Sequence, residues 1–494
     1  MPTITGINRI DSLLAGTVHR WNKDSPFGTA VNVTFSFAKA LPDYADPADP
    51  ENQGFSVFTA EQQAASRAIF ARIGKEFGIT FSEVTDSATV YGAIRLFNTS
   101  QGETSAGAAL YPFAAEDDNS GDIYINGKSA DNLTDLTPGT VAWATLVHEI
   151  GHAIGLKHPG NYNAGDTSDT AGEPPFLSAT DDSVWYSVMS YNEAPTGQQR
   201  DWFGVFDLQA LEYLYGKKAI ATGNDTYAYT DAAGLVLTII NDSAGVDMID
   251  LSGISKAMEL DLRPGQTSSI GLFEDAVARN TVSIAMGTVI ENAIGTAGND
   301  VITGNDANNL LRGGKGDDTL SGGAGIDTAV FAGNKAGYAI TAGSVMTVKG
   351  GDGSDSLREI ERLHFNDTKV AFDLNGNAGN VAKLLGAVFG VPALSNKTFV
   401  GIGLEQADKG LSYSGLATLA LGAAGANTPA AIVDRLWSNL FGSAPSAQQA
   451  GPYVAMLESG QQTPGSLVVL AADLALNTTN INLVGLQTTG IHYS

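Results

Sequence analysis

Residues 148–158 read HEIGHAIGLKH, from His148, Glu149 and His152 through Gly155 to His158. Half of the chain's 6 histidines fall in this one run. Residues four apart share a helix face, so His148 and His152 can aim both imidazoles at one ion. Glu149 sits one residue, about 100°, further round the helix. That places it beside the ion, where a carboxylate acts as a base on bound water and not as a ligand. Gly155 can take the left-handed conformation that stops a helix, which lets His158 return as a third ligand. Three protein ligands leave a position open to water, the pattern of catalytic rather than structural zinc. A bare HExxH often arises by chance on an amphipathic helix. The extended HExxHxxGxxH spacing removes most of that ambiguity.

The rest of the composition narrows the setting. At 494 residues and 43% hydrophobic content, the chain has room for about two to four domains. No stretch approaches the roughly 20 apolar residues of a membrane span. A net charge of −26 argues against nucleic acid as partner and calls for local neutralisation by cations, calcium first among them. With no cysteine there are no disulfides and no thiolate ligands. The opening MPTITGINRIDSLLAG lacks the basic and apolar segments of a secretory signal peptide, which by itself suggests the cytoplasm.

The first half reads as an α/β domain. A helix is predicted from Thr59, with Gln62 completing a capping box and Ala65, Ile69, Ile73 and Phe77 forming an apolar face that ends at Gly78. Strands are expected at 79–84, 91–97, 108–113 and 122–126. A second helix is placed from Thr137-Pro138, carrying Val141, Leu146, Val147 and Ile150 into the histidine motif. A third is predicted from Asp207 to Leu214, before Gly216.

From about residue 222 the texture turns to Gly, Asn, Asp and Thr. Four nonapeptides then follow in phase: GTAGNDVIT, GNDANNLLR, GGKGDDTLS and GGAGIDTAV, residues 295–330. This is the period of a parallel β-roll. Glycines Gly295, Gly298, Gly313, Gly314, Gly316, Gly322, Gly323 and Gly325 fall on the turns, where tight backbone presents carbonyl oxygens. Asp300 (with Asn299 beside it), Asp318 and Asp327 supply carboxylates to an all-oxygen calcium shell. Asn309 replaces aspartate in the second repeat, so that position should bind more weakly. Ile302, Leu311, Leu320 and Ala329 are the inward beats, which a flexible acidic linker would not need. The segment to about 374 should cap the roll. The Ala- and Leu-rich remainder, with Val381, Leu384, Leu385 and Val388 at helical spacing, should form a small helical domain.

HEIGHAIGLKHPGNYNAG, the later SVMSY (187–191), LEYLYG and VIENAIGTAGNDVITGN together resemble the serralysin family of metzincin metalloproteases, secreted bacterial enzymes with RTX calcium repeats. The resemblance covers roughly residues 30–330. It implies zinc on His148, His152 and His158, Glu149 as general base, Met189 as the structural Met-turn residue, and Tyr191 as a side chain that stabilises the oxyanion. GAALYPF would be the cleft edge on which an extended peptide pairs. Asp242, Gly245 and Asp247 resemble a family calcium site. Gly223 and Asp225 of ATGNDT stand in the matching place, although Ala221 replaces the usual arginine.

The resulting expectation is a multidomain protein in three parts. Residues 1–220 would be an α/β metzincin-type catalytic domain, in which residues 1–25 are either a short propeptide or part of the mature fold. Residues 221–375 would be the parallel β-roll with capping strands. Residues 376–494 would be a mainly helical domain for secretion or surface attachment. The expected activity is zinc-dependent endopeptidase hydrolysis of extracellular proteins, with one catalytic zinc and several structural calcium ions. Expected partners are polypeptide substrates, a proteinaceous inhibitor and a cell surface, not nucleic acid. Calcium repeats suited to about 10⁻⁴ M extracellular calcium reverse the cytoplasmic impression, toward one-step export without an N-terminal signal. The ending GIHYS lacks the acidic and apolar tail of the family's export signal. The competing reading is a non-catalytic calcium-binding adhesin with a vestigial protease domain.

Overall fold

The computed structural model describes residues 4–48, 52–101, 105–113, 119–162 and 174–494, so the end of HPGNYNAG and the first three residues lie outside the described part. The chain divides into two compact units, Met1–Met248 with Glu259–Ile290, and Ile249–Met258 with Glu291–Ser494. It is a mixed α/β protein with parallel sheets and C-terminal helices.

The first unit is built on a five-stranded sheet of β1 (Val31–Phe37), β2 (Ile79–Glu83), β3 (Ile94–Thr99), β4 (Gly107–Ala109) and β5 (Ile123–Asn126), in the order β2-β1-β3-β5-β4. The first four in that order run parallel, with Val31 opposite Ile79, Phe35 opposite Ile94 and Leu96 opposite Ile123. Only β4 is antiparallel, and it forms an edge. The helix Ala60–Glu76 starts as its sequence predicts: the Thr59 hydroxyl accepts from the Gln62 N–H, while the Gln62 side chain accepts from the Thr59 N–H. Its Ala65, Ile69, Ile73 and following Phe77 are buried in the core shared with the sheet.

Three expectations need correction here. Strand β1 was not expected, although VNVTFSF alternates and places Val33, Phe35 and Phe37 in the core. The helix of the histidine motif begins at Val141, not at Thr137, because Gly139 takes φ +90° and Thr140 is the residue whose hydroxyl caps Trp143 N–H. Val141 consequently points out, 46% exposed. The strand expected over 108–113 stops at Ala109, since Pro112 has no N–H to offer and Phe113 takes φ +54°.

In the second unit, strands of three residues stack in parallel in two sheets. One carries 292–294, 310–312, 328–330 and 362–364; the other carries 301–303, 319–321 and 353–358. Successive nonapeptides alternate between the sheets, so Ile302 and Leu320 face Leu311 and Ala329 across a buried interior. The capping segment adds an antiparallel pair at 339–350 and the strand Lys369–Ala371, against which Ile491–Tyr493 pairs antiparallel. Helices run from Asn377 onward, and Val381, Leu384, Leu385 and Val388 lie in their common core. The C-terminal part is thus mainly helical but closes on a strand.

Candidate metal centre

The helix Val141–Ala153 presents His148 and His152 on one face, and the chain reverses through Gly155 at φ +102°. A Cβ on Gly155 would lie 2.4 Å from the His19 carbonyl oxygen, so the turn requires glycine twice over. His158 then returns to the other two. Its Nε2 stands 3.1 Å from Nε2 of His148 and 3.0 Å from Nε2 of His152. Each helix histidine spends its other nitrogen on backbone: His148 Nδ1 on the Val188 carbonyl and His152 Nδ1 on the Leu156 carbonyl, both at 2.8 Å. Those contacts put the proton on Nδ1 and aim both Nε2 lone pairs inward. Burial first, and then the neighbouring His158, push His148 down to about 3 and His152 well below the usual imidazole range. Neutral imidazoles are the ligating form. Three inward nitrogens this close, with the outer nitrogens of His148 and His152 already committed, fit a tetrahedral cation.

Glu149 is buried beside the triad, and among the described residues its Oε2 has no hydrogen-bond partner. Burial pushes its carboxyl up to about 8. The edge strand makes room for it, since a Cβ on Gly107 would lie 2.9 Å from Glu149 Cγ and Oε1. Beneath the helix, Met189 is fully buried, and Gly151 admits its sulfur: a Cβ there would stand 2.7 Å from Sδ. The Tyr191 ring lies 4.4 Å from that of His158 and 5.7 Å from that of His148, nearly parallel to the latter at 21°. Gly107, His148, Glu149, Val188, Tyr191 and Gln199 are among the residues lining a cleft of about 310 Å³.

Several supporting residues carry no sequence signature. Asp207, fully buried in the first turn of the helix Val205–Tyr215, accepts from Ser187 Oγ (2.6 Å), Val188 N–H (2.7 Å) and Gly204 N–H (2.7 Å). It therefore fixes Val188, the residue whose carbonyl orients His148. Tyr162 and Asp182 lie behind Tyr191 and are taken up below. Spacing could have suggested none of these three: Asp207 and Asp182 lie far from the motif, and Tyr162, although it closes HPGNY (158–162), follows no period.

The expected calcium residues gather in two settings. In the first unit, Asp225, Asp242 and Asp247 bring carboxylate oxygens within 4.8 Å of one another. The Asp225 N–H donates to Asp247 Oδ1 at 2.8 Å, and Tyr227 Oη donates to Asp242 Oδ2 at 2.5 Å. Gly245 packs on the Gly223 carbonyl, where a Cβ would stand 1.9 Å away. In the roll, Gly314, Gly316, Gly323 and Gly325 all have φ between +105° and +116°. A Cβ on Gly295, Gly313 or Gly322 would collide with the carboxylate of Asp300, Asp318 or Asp327 respectively, and one on Gly298 with the Ala257 backbone. Asn299 Oδ1 accepts from the Asp317 N–H at 3.0 Å.

The carboxylates form two ladders along the edges of the roll. Asp300 N–H donates to Asp318 and Asp318 N–H to Asp355 on one edge; Asn309 N–H donates to Asp327 and Asp327 N–H to Glu361 on the other. Asp355 closes GGDGSD (350–355), a fifth copy of the motif that the sequence reading passed over. Glu361 has no such motif to announce it.

Residues 206–388 match the family described as peptidase M10 serralysin C terminal. Serralysin G of Dickeya chrysanthemi is 32% identical over 330 residues, 62% of this chain and 65% of its own length. Serralysin of Photorhabdus laumondii is 33% identical over 313 residues, covering 58% of this chain and 62% of its own. Metallopeptidase AprA of Pseudomonas marginalis is 32% identical over 281 residues, 51% of this chain and 56% of its own. The chain thus spans a little under two thirds of the length of the curated relatives it matches. Over the part of its length that these matches cover, the chain is similar to serralysin-type metalloproteases.

Proposed function

We propose that the chain is a secreted zinc endopeptidase that cleaves peptide bonds of extracellular proteins. One observation carries the reading: His148, His152 and His158 converge, the first two with their outer nitrogens committed, and Glu149 Oε2, without a hydrogen-bond partner among the described residues, lies buried beside them. Zinc bound by this triad would supply Lewis acidity to the scissile carbonyl and to water. Glu149 takes the proton of the attacking water and delivers it to the leaving amine. A cation alongside favours the ionised carboxylate that this role begins from. Tyr191 donates its phenolic proton to the oxyanion from its place against the histidines. The open edge of β4 pairs with an extended substrate backbone, which selects unstructured polypeptide.

The remaining parts follow from the same reading. Asp225, Asp242 and Asp247 with Gly223 and Gly245 hold calcium in the first unit, and the two carboxylate ladders hold it along the roll. Export proceeds in one step and calcium completes folding outside. Among the described residues no helix is long and apolar enough to cross a membrane. Residues 221–375 act as the calcium module and 376–494 as a secretion or attachment module. Ile10, Leu13 and Leu14 are buried in the catalytic core, and the Lys157 N–H donates to the Leu13 carbonyl. That packing supports counting the segment from Ile10 onward with the mature fold rather than with a propeptide. The vestigial-protease alternative is disfavoured by the undamaged convergence of triad and base.

Casein hydrolysis with and without a zinc chelator, repeated with Glu149→Ala, tests the reading. Activity should vanish in chelator, return with zinc, and be absent in the variant. Equal hydrolysis in all conditions would refute it.

A further inference from the structure

Behind Tyr191 lies a buried polar cluster that the reaction as derived does not use. Asp182, 8% exposed, sits in the loop between the third histidine and Met189. Its Oδ1 accepts from Tyr162 Oη at 2.6 Å and from Ser190 Oγ at 2.7 Å. Tyr162 Oη in turn accepts from the Tyr191 backbone N–H at 3.2 Å. Ser190 Oγ accepts from Asn192 N–H at 3.1 Å, and Asn192 Nδ2 returns to the Asp182 carbonyl at 2.9 Å. The peptide on either side of Tyr191 is thereby held by one carboxylate.

The aromatic ring is held as well. Tyr162 stacks on Tyr191 with centroids 5.0 Å apart and planes 19° from parallel. Tyr191 itself is 42% exposed, so its ring is fixed between Tyr162 and the histidines and not by burial. Space for the seat depends on Gly160, where a Cβ would stand 2.0 Å from Tyr162 Cε1 and 2.5 Å from Asp182 Oδ2.

We propose that Tyr162, anchored by Asp182, is a positioning residue that seats the Tyr191 ring and backbone against the histidine triad. The proposal rests on the reading above, in which the Tyr191 phenol stabilises the oxyanion. A side chain that must meet charge developing in the transition state contributes only if it is placed in advance. The stacked ring and the bond from Tyr162 to the Tyr191 peptide provide that placement. Losing the seat leaves substrate binding intact and lowers the rate of the chemical step.

Tyr162→Phe, Tyr191→Phe and the double variant should be compared in the zinc-loaded, full-length enzyme. Tyr162→Phe should lower kcat about tenfold with KM changed less than about twofold. In the Tyr191→Phe background it should cost nothing further, because the group it positions is gone. Equal losses in both backgrounds, or a loss confined to KM, would overturn the proposal. A second readout does not depend on activity. In metal-free protein labelled with 3-fluorotyrosine, the Tyr191 resonance, assigned by its absence in Tyr191→Phe, should shift in Tyr162→Leu as the stacked ring is lost. An unmoved resonance would overturn the seat even if the wild type cleaves casein. A wild type without proteolysis but with the expected shift would refute the proposed function and leave the seat standing.

Discussion

Replacing Asp207 by alanine should destabilise the first unit by about 3–5 kcal/mol, while asparagine should cost about 1 kcal/mol or less. The difference follows from how the two carboxylate oxygens are used. Oδ2 receives both backbone donors, Val188 N–H and Gly204 N–H, and Oδ1 receives the Ser187 hydroxyl. Alanine strands three buried donors at about 1–1.5 kcal/mol each, and also removes the first-turn cap of the helix Val205–Tyr215. Asparagine can place its carbonyl at Oδ2 and keep both backbone bonds. Its amide then donates to Ser187 Oγ, whose hydroxyl proton can rotate away. Urea unfolding followed by tryptophan fluorescence is a suitable assay, because Trp21, Trp143, Trp185 and Trp202 of the 5 tryptophans lie in the first unit. Zinc affinity should fall with alanine as well, since Val188 also carries the carbonyl that orients His148. An alanine variant within about 1 kcal/mol of wild type, or an asparagine variant as damaged as alanine, would refute the reasoning.

Three further outcomes are expected. Gly107→Ala should lower casein hydrolysis roughly a hundredfold by displacing Glu149, with little change in Tm, because the collision is with one carboxylate side chain beside the edge strand; undiminished hydrolysis would contradict that collision. Gly314→Ala should unfold the roll even in excess calcium, seen by circular dichroism, because φ is +116° and the new Cβ would lie 1.9 Å from the Thr296 carbonyl; a calcium-restored wild-type spectrum would contradict it. Burial pushes Asp318 and Asp327 up to about 7 and Asp355 up to about 6 when no cation is bound. Folded values above the unfolded carboxylate range give stability that is full below about pH 4 and lost as pH rises through about 7. In chelator the roll should therefore melt at a higher temperature at about pH 5 than at about pH 8, with calcium abolishing the difference. A flat or opposite dependence would count against the ladders.

The histidine motif could be read because helix geometry turns spacing directly into direction. Four in-phase nonapeptides gave the roll in the same way, since each repeat must return its aliphatic beat to the same interior. GGDGSD stands outside the repeat because residues 331–349, which carry the strand Ala339–Thr341 and all but the last residue of its antiparallel partner Met346–Gly350, shift it out of that phase. Pro138 misled the helix start, because proline at a first helical position is a general preference, whereas the Thr140 cap depends on Gly139 turning the chain first. Asp207, Asp182 and Tyr162 could not be found by any periodic rule. Each is defined by what lies across from it in space, 20 residues away in the case of Ser187 and Asp207.

The ladders of the roll also carry a direction. Every rung gives its backbone proton to a carboxylate that comes later in the chain, and the final acceptors, Asp355 and Glu361, stand outside the four regular repeats. The return bonds run the other way, from Thr319 N–H to the Asp300 carbonyl, from Thr328 N–H to the Asn309 carbonyl and from Ser356 N–H to the Asp318 carbonyl. Each rung is thus tied to its neighbour in both directions, and order can nucleate at any rung and spread either way along the roll.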